Sequence, residues 1–317
     1  MKFIVLTLFS LPFLAFVLDL LLGDPRRLPH PVRLIGRWLD WLEPTAKALN
    51  LSQRVSGAFC VLSTAALCYL AVQFLSELKF FGLAMMFYLA YAGLALGELI
   101  DSARDALDLI EEDGRLDEAR VAVGMLVSRS TTDMEADDLR KTLAETVSEN
   151  FSDGFVAPMF YLVLGGPALM WAYKAVSTMD SMWGYKTDRF RDLGWAAART
   201  DDLLAYIPAR ISAFVLIGVG ALLRLNWRES LSRFRADAAT MDSPNAGWPM
   251  SACAWLMQGR MGGHATYFGE PKLKPTLGPA GQLWSIEKLK KLFRLVVFSG
   301  FAVVVLLQGL KVALTAW

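Results

Sequence analysis

The sequence predicts an all-α, polytopic integral membrane protein with about four to six membrane segments and cytoplasmic amphipathic helices. Hydrophobic residues make up 55% of the 317, and the mean hydropathy is +0.38. A membrane helix needs about 20 mostly apolar residues, and the charged residues lie in blocks between such runs. The net charge of +1 excludes the general basic field of a nucleic-acid-binding protein. Six runs qualify as membrane segments: 3–22, 56–75, 80–97, 155–173, 203–223 and 292–313.

The distribution of Lys and Arg predicts the orientation of these segments. The run 3–22 is too long for the apolar region of a signal peptide, so it is interpreted as a retained helix. Loop 23–54 carries six Lys and Arg residues and the 76–79 turn carries one, which favours a cytoplasmic loop 23–54. The helical block 98–154 and the loop 224–291 are then cytoplasmic as well, and 174–202 stays undecided. We expect residues 1–317 to form a single membrane-integral domain in the cell (cytoplasmic) membrane.

Two of the apolar runs are irregular. The run 155–173 contains the break Gly165-Gly166-Pro167, and 203–223 contains Pro208 and Arg210. Broken membrane helices and buried arginines are tolerated where they face a polar cavity or protein interior. Whether these two runs span or re-enter the membrane is left open. Residues 98–150 show the apolar spacing of amphipathic helices, with a break at Gly114.

A stripe of carboxylates precedes the first irregular run. Glu145, Glu149 and Asp153 are spaced i, i+4, i+8, which places them on one face of a helix that Gly154 can end. Oxygen ligands from one or two carboxylates together with phosphate groups suit Mg²⁺. The stripe therefore indicates a magnesium site, and the alternative is a solvated acidic face.

Three further stretches combine charge with rigid or irregular chain. Residues 23–33 contain Asp24, three prolines and several cations, which suits an anion site or a positive-inside anchor. Residues 179–210 follow the first irregular run and extend into the second. They carry mixed charges and are expected to form either an anionic-substrate site or a solvated loop. In 242–271, Ser243-Pro244-Asn245 and Gly247-Trp248-Pro249 predict turns. Three glycines follow, which are Gly259, Gly262 and Gly263. They are expected either to bring backbone N–H groups close to a phosphate or to form an ordinary loop.

These motifs together resemble the adenosylcobinamide-phosphate synthase family of cobalamin biosynthesis. The matching pieces are GDPRRLPHPVRLIG, AETVSENFSDGFVAP, DSMWGYK, ARTDDLLAYIPAR and SPNAGWP…GRMGG, within residues 23–263. The resemblance implies an integral-membrane enzyme that joins (R)-1-amino-2-propanol, or its O-phosphate, to a propionate carboxylate of adenosylcobyric acid. It implies ATP as co-substrate, Mg²⁺, a lipid bilayer around the protein and an active site that faces the cytoplasm.

Activation of a carboxylate by ATP requires cations for the phosphates and a site that excludes water. We therefore expect one set of residues to bind Mg²⁺–ATP: Glu145, Glu149 and Asp153. A second set is expected to take part in catalysis, with an aspartate as second metal ligand or base and the lysine at the phosphate or propionate groups: Asp180, Lys186, Asp201 and Asp202. A third set is expected to bind substrate or phosphate groups: Arg27, His30, Arg33, Arg189, Arg210 and Asn245.

The chain departs from the family pattern at four positions, which are Ser130, Ser177, Asp242 and Met250. The departures leave open a non-enzymatic membrane regulator of the same superfamily, similar to AmpE. A transporter would also have broken helices, but no inverted repeat between the halves is detectable. A membrane prenyltransferase would carry paired acidic motifs that this chain lacks.

Overall fold

A computed structural model describes residues 10–24, 30–48, 51–267 and 269–315. The described chain is mainly helical and includes one antiparallel two-stranded sheet. The helices before the first irregular run are α1 Leu11–Leu22, α2 Pro31–Ala48, α3 Gln53–Ser76, α4 Gly82–Ala92, α5 Leu96–Glu111, α6 Leu116–Gly124 and α7 Ala136–Asn150. The elements after it are α8 Ala157–Trp183, α9 Trp195–Leu204, α10 Tyr206–Leu222, α11 Trp227–Ala238, α12 Gly247–Met257, β1 Met261–Tyr267, β2 Glu270–Leu277 and α13 Ile286–Thr315.

Four helical stretches of the described chain are long and apolar enough to cross a membrane, which confirms the predicted polytopic class. They are Gln53–Ser76, Gly82–Glu111, Ala136–Trp183 and Ile286–Leu314. Helices α9 and α10 meet at a bend of 45° and make a fifth candidate if the pair is one broken span. The predicted run 3–22 appears as the shorter apolar helix Leu11–Leu22, and residues 3–9 lie outside the described residues.

The chain divides into two compact units. The first comprises 1–95, 157–205 and 304–317, and the second comprises 96–156 and 206–303. The single membrane-integral domain expected from the sequence stays a prediction, as does the cytoplasmic position of the amphipathic helices.

Helix α8 organises the first unit, since α1, α2, α3, α4 and α9 all pack against it. Its buried Trp171 donates a hydrogen bond from Nε1 to the Leu89 carbonyl oxygen at 2.9 Å. Gly57 of α3 allows a close approach, because a Cβ at this position would lie 2.0 Å from the Leu193 carbonyl oxygen. This close approach holds Leu193, near the end of the 184–194 segment, against α3.

Helix α12 forms the centre of the second unit, and residues 249–257 of it are buried. It packs against α7, α10, α11 and both strands. Ser230 and Ser251 join α11 to α12 by hydrogen bonds to the carbonyl oxygens of Ala252 and Phe234, at 3.0 and 2.9 Å. Asp237 accepts hydrogen bonds from Trp255 Nε1 and the Gly278 backbone N–H, both at 2.7 Å.

The irregularity predicted in 155–173 is confirmed. Gly165 and Gly166 leave the helical conformation, and Gly166 has φ +70°, a value that glycine adopts at no steric cost. The prediction that Gly154 ends the helix is wrong. Residues Phe151–Val156 form a π-helical turn, and the helix continues because Phe151 and Phe155 are both fully buried on it.

The segment 224–291 contains more regular structure than the predicted loop. It includes α11, α12 and a hairpin in which Gly263 opposes Lys274 and Tyr267 opposes Glu270. The Gly247-Trp248-Pro249 turn is a wrong prediction, since these residues begin α12. The Ser243-Pro244-Asn245 turn is confirmed, with Ser243 Oγ accepting hydrogen bonds from the backbone N–H groups of Asn245 and Ala246 at 3.2 and 3.3 Å.

Candidate functional site

Two carboxylates in the first unit influence each other electrostatically. Asp180 is in the last turn of α8, Asp202 is on α9, and the two side chains interact electrostatically. Gly184 is required for this arrangement, because a Cβ there would lie 2.0 Å from Asp180 Oδ1 and 2.6 Å from its carbonyl oxygen. Arg199 acts on Asp202, one turn away on the same helix. Neighbouring carboxylates of this kind share a proton or bind a cation.

A second charged group in the same unit includes both acidic residues and cations. Lys174 of α8 interacts electrostatically with Asp19 and Asp24, and Asp19 is fully buried on α1. His30 Nε2 lies 3.8 Å from Asp24 Oδ2, and His30 Nδ1 accepts a hydrogen bond from the Val32 backbone N–H at the start of α2. Asp24 and His30, on either side of residues 25–29, therefore lie near each other.

Burial lowers the pKa of His30, and the charges of Lys174 and Arg33 lower it further, against the opposing effect of Asp24. The half-buried His30 therefore loses its proton more easily than an exposed histidine would. Arg33 is exposed on the first turn of α2. Arg27 lies outside the described residues.

Arg189 forms a bidentate ion pair with Glu43, at 2.7 and 2.6 Å. The hydrogen bonds from Arg189 are the largest influence on the pKa of Glu43, which is lowered to about 2. Burial acts in the opposite direction, and Lys47 lowers this pKa further. Arg189 also lies over the Phe190 ring, 4.8 Å from its centroid. Lys186 is exposed in the turn that follows α8, four residues before Phe190.

The acidic stripe of α7 is not a set of three equivalent ligands. Glu145 is fully buried, forms an ion pair with Arg129, and accepts a hydrogen bond from the Gly262 backbone N–H at 2.6 Å. Glu149 interacts electrostatically with Lys274, Glu145 and Arg129. Asp153 is half-buried in the π-helical turn. Within the described ranges, no group of three or more His, Cys, Asp or Glu side chains could hold a metal ion.

Gly262 thus uses its N–H for Glu145, and Gly259 donates its N–H to the Ala254 carbonyl oxygen at 2.9 Å. These two N–H groups are therefore bonded within the protein, which disfavours the phosphate-binding alternative for Gly259 and Gly262.

Arg210 and Asn245 lie together in the second unit. Arg210 Nη1 donates to Asn245 Oδ1 at 2.6 Å and to the Tyr206 carbonyl oxygen at 2.9 Å. The guanidinium lies between two rings, 3.4 Å from the Tyr206 centroid and 4.5 Å from that of Trp248. Asn245 is almost fully buried. The arginine in the irregular run is therefore stabilised by protein groups of its own unit.

Neither Lys174 nor Arg129 was predicted from the sequence to belong to a functional site. Lys174 directly follows the apolar run 155–173, and a lysine at the end of a membrane segment can indicate a functional site. Arg129 is 8% exposed, and its sequence neighbourhood gives no sign that it is buried.

The four departures from the family pattern have different environments. Ser130 is exposed and lines a pocket, whereas Met250 is buried in α12. Asp242 pairs with Lys272 at 2.7 Å. Ser177 lies on α8, where its carbonyl oxygen accepts a hydrogen bond from Ser181 Oγ at 2.9 Å.

These features define a polytopic helical membrane protein with buried and half-buried charged groups in each of its two units. The chain belongs to the CobD/Cbib protein family, whose model matches residues 12–296.

Curated relatives of the chain cover most of its length. The cobalamin biosynthesis protein CobD of Pelobacter propionicus is 39% identical over 283 residues, 84% of this chain and 83% of the relative. CobD of Listeria monocytogenes serotype 4b is 36% identical over 288 residues, 89% of this chain and 91% of the relative. The cobalamin biosynthesis protein CbiB of Salmonella choleraesuis is 35% identical over 292 residues, again 89% and 91%. No solved structure matches the chain.

Proposed function

We propose that this protein acts in cobalamin biosynthesis as an ATP-dependent amide ligase. The reaction joins (R)-1-amino-2-propanol, or its O-phosphate, to a propionate carboxylate of adenosylcobyric acid and yields adenosylcobinamide or its phosphate. Membership of the CobD/Cbib family and the names of the relatives, which are cobalamin biosynthesis proteins, support the pathway. The resemblance of the charged motifs supports the specific reaction.

The enzymatic proposal rests on Asp180 at the end of α8 and Asp202 on α9, two carboxylates whose charges act on each other. An amine is protonated at neutral pH and must lose a proton before it attacks an activated carboxylate. Two neighbouring carboxylates favour the retention of a proton by one of them. We assign Asp180 and Asp202 to the acceptance of this proton, and Asp201, adjacent on α9, to the orientation of the amine.

The cations of the first unit suit the anionic groups of the substrates. Lys174 is a half-buried cation and Arg33 an exposed one, and the half-buried His30, whose pKa burial lowers, supplies a neutral imidazole beside Arg33. Because a half-buried cation is less hydrated than an exposed one, its attraction for a carboxylate or phosphate is stronger. We assign these three residues, together with Lys186 and Arg27, to the propionate and phosphate groups.

Arg189, Arg210 and Asn245 have protein partners. Arg189 binds Glu43, and Arg210 binds Asn245 and two aromatic rings. We propose that Arg189 positions the 184–194 segment within the first unit, in place of the direct substrate contact expected from the sequence. Arg210 and Asn245 likewise position the start of α12 within the second unit.

Two carboxylates, one on α7 and one in the π-helical turn, suit the binding of Mg²⁺. Both oxygens of Glu145 accept from protein groups, which leaves Glu149 and Asp153 as the proposed ligands. Mg²⁺ commonly takes one or two carboxylates together with substrate phosphates. When bound, the ion neutralises charge on the phosphates of ATP. Because ATP is a cytoplasmic substrate, we place the active site on the cytoplasmic side of the inner membrane.

Genetic complementation tests the proposed function. A strain that lacks its own synthase should grow on cobyric acid only when this chain is expressed, and it should grow on cobinamide without the chain, because cobinamide already carries the amide. Failure on cobyric acid, with the protein present in the membrane and growth on cobinamide intact, would contradict the proposal. Corrinoid binding without turnover would then favour the AmpE-like regulator.

A further inference from the structure

A pocket of about 610 Å³ lies within the second unit, apart from the residues assigned above to proton transfer. Its walls are the 129–134 segment, the first turn of α7, strand β1 and residues 282–284. Pockets of about 300–1,000 Å³ accommodate organic ligands of drug size. Its volume therefore suits a whole nucleotide better than a small phosphorylated amine.

The cations of this pocket differ in how far they are neutralised. Lys141 is paired with Asp138 at 2.9 Å. Arg129 is paired with Glu145 through Nη2, but a guanidinium has five N–H donors, so it retains donors for a second anion. Arg260 is exposed and lines the pocket, and it forms no salt bridge with any acidic side chain of the described residues.

The backbone holds Arg260 in place on both sides. Its N–H donates to the Gln282 carbonyl oxygen at 2.8 Å, and its own carbonyl oxygen accepts from Trp284 Nε1 at 2.9 Å. Gly259 makes this packing possible, because a Cβ at this position would lie 2.5 Å from the indole of Trp284. A side chain on such a fixed backbone loses less entropy when it binds a ligand.

The other walls are joined to one another by equally specific contacts. The Ser130 backbone N–H donates to the Thr266 carbonyl oxygen at 2.9 Å, which joins the 129–134 segment to β1. Glu145 joins α7 to β1 through Gly262 and to the 129–134 segment through Arg129. The pocket is therefore built before any ligand enters it.

We propose that this pocket binds the nucleoside triphosphate of the reaction, with Arg260 and Arg129 in contact with its phosphates. Arginine binds phosphate through two parallel N–H groups, and Trp284 and Leu283 supply an apolar wall for an organic group. Glu145 is then a positioning residue that holds Arg129. The inference rests on the proposed ATP dependence, and it adds the location and the residues.

Binding of an ATP analogue that carries a fluorophore on its ribose tests this assignment. The full chain, in lipid nanodiscs with Mg²⁺, is titrated as wild type, Arg260→Gln and Arg228→Gln. Arg228 is an exposed arginine of the same unit outside the pocket, so Arg228→Gln is the matched control. We expect Arg260→Gln to weaken binding about tenfold or more, as the loss of a hydrogen bond to a charged group does, and Arg228→Gln to leave it unchanged.

Competition identifies the class of ligand. Unlabelled ATP should displace the analogue at a much lower concentration than inorganic phosphate or aminopropanol phosphate. Wild-type affinity in Arg260→Gln would overturn the assignment, and so would equal displacement by aminopropanol phosphate. Neither of these results would contradict amide formation by the wild type. Conversely, tight nucleotide binding without amide formation would contradict the proposed reaction but would still support the nucleotide pocket.

Discussion

Replacement of Glu145 by Gln tests whether this carboxylate is a partner of Arg129 or a metal ligand. The substitution keeps an oxygen that accepts the hydrogen bond of Gly262 but removes the negative charge beside Arg129. Glu145 is fully buried and the Arg129 side chain is 6% exposed. Breaking a buried ion pair at one partner costs about 3–5 kcal/mol, because the other charge is left uncompensated. We therefore expect Glu145→Gln to lower the free energy of unfolding by about that amount.

The double variant Arg129→Gln/Glu145→Gln supplies the critical comparison. With both charges removed, much of the loss should be recovered, and the double-mutant cycle should give a coupling energy of about 2 kcal/mol. Glu118→Gln is the matched control. Glu118 pairs with Arg115 on the surface and is 60% exposed, and such pairs contribute about 0–1 kcal/mol.

Reversible unfolding in mild detergent, followed by tryptophan fluorescence, measures these differences, and Mg²⁺ titration of each variant measures metal affinity. A Glu145→Gln protein with wild-type stability and lost Mg²⁺ affinity would refute the ion-pair account. It would restore Glu145 to the role of a magnesium ligand.

Three further predictions follow from the first unit. Asp180→Asn should abolish amide formation by the folded protein, measured by product mass, whereas Asp188→Asn, at a surface carboxylate, should retain it; equal activities would contradict the proton-acceptor role. Because Arg189 lowers the pKa of Glu43 to about 2 from its ordinary value of 4.5, their ion pair should contribute about 1 kcal/mol above pH 4.5, discounted because Arg189 is 65% exposed. This contribution should disappear as the pH falls towards 2, so melting temperatures of the wild type and Glu43→Gln should converge there, and a constant difference would count against the pair. Finally, a single cysteine at the exposed Ser181, in a cysteine-free background, should resist an impermeant external thiol reagent until the membrane is opened, and labelling of intact cells would place 174–202 outside.

Much of the fold could be predicted because it depends on local sequence. Runs of apolar residues define the membrane helices, and Gly165-Gly166-Pro167 breaks one of them where the backbone leaves the helical conformation. The hairpin could not be predicted, because β1 contains two glycines and β2 two prolines, residues that are depleted in strands. Non-local contacts hold β1 in place, among them the hydrogen bond from Gly262 to Glu145.

The candidate site was less predictable because its partners are distant in sequence. The i, i+4 spacing places Glu145 and Glu149 on one face of α7, but it does not show that Arg129 and Gly262 occupy both oxygens of Glu145. Arg189 likewise pairs with Glu43, 146 positions away. Spacing therefore located the charged stretches, while the division between partners and ligands depends on tertiary contacts.

The most direct test of the central claim is the reaction of the purified protein, in nanodiscs, with adenosylcobyric acid, aminopropanol phosphate and Mg²⁺–ATP, followed by mass spectrometry of the corrinoid. The proposed reaction yields a corrinoid heavier by one aminopropanol phosphate less one water, formed only when ATP is present. An unchanged corrinoid mass with folded protein and all substrates present, or the same product without ATP, would contradict it.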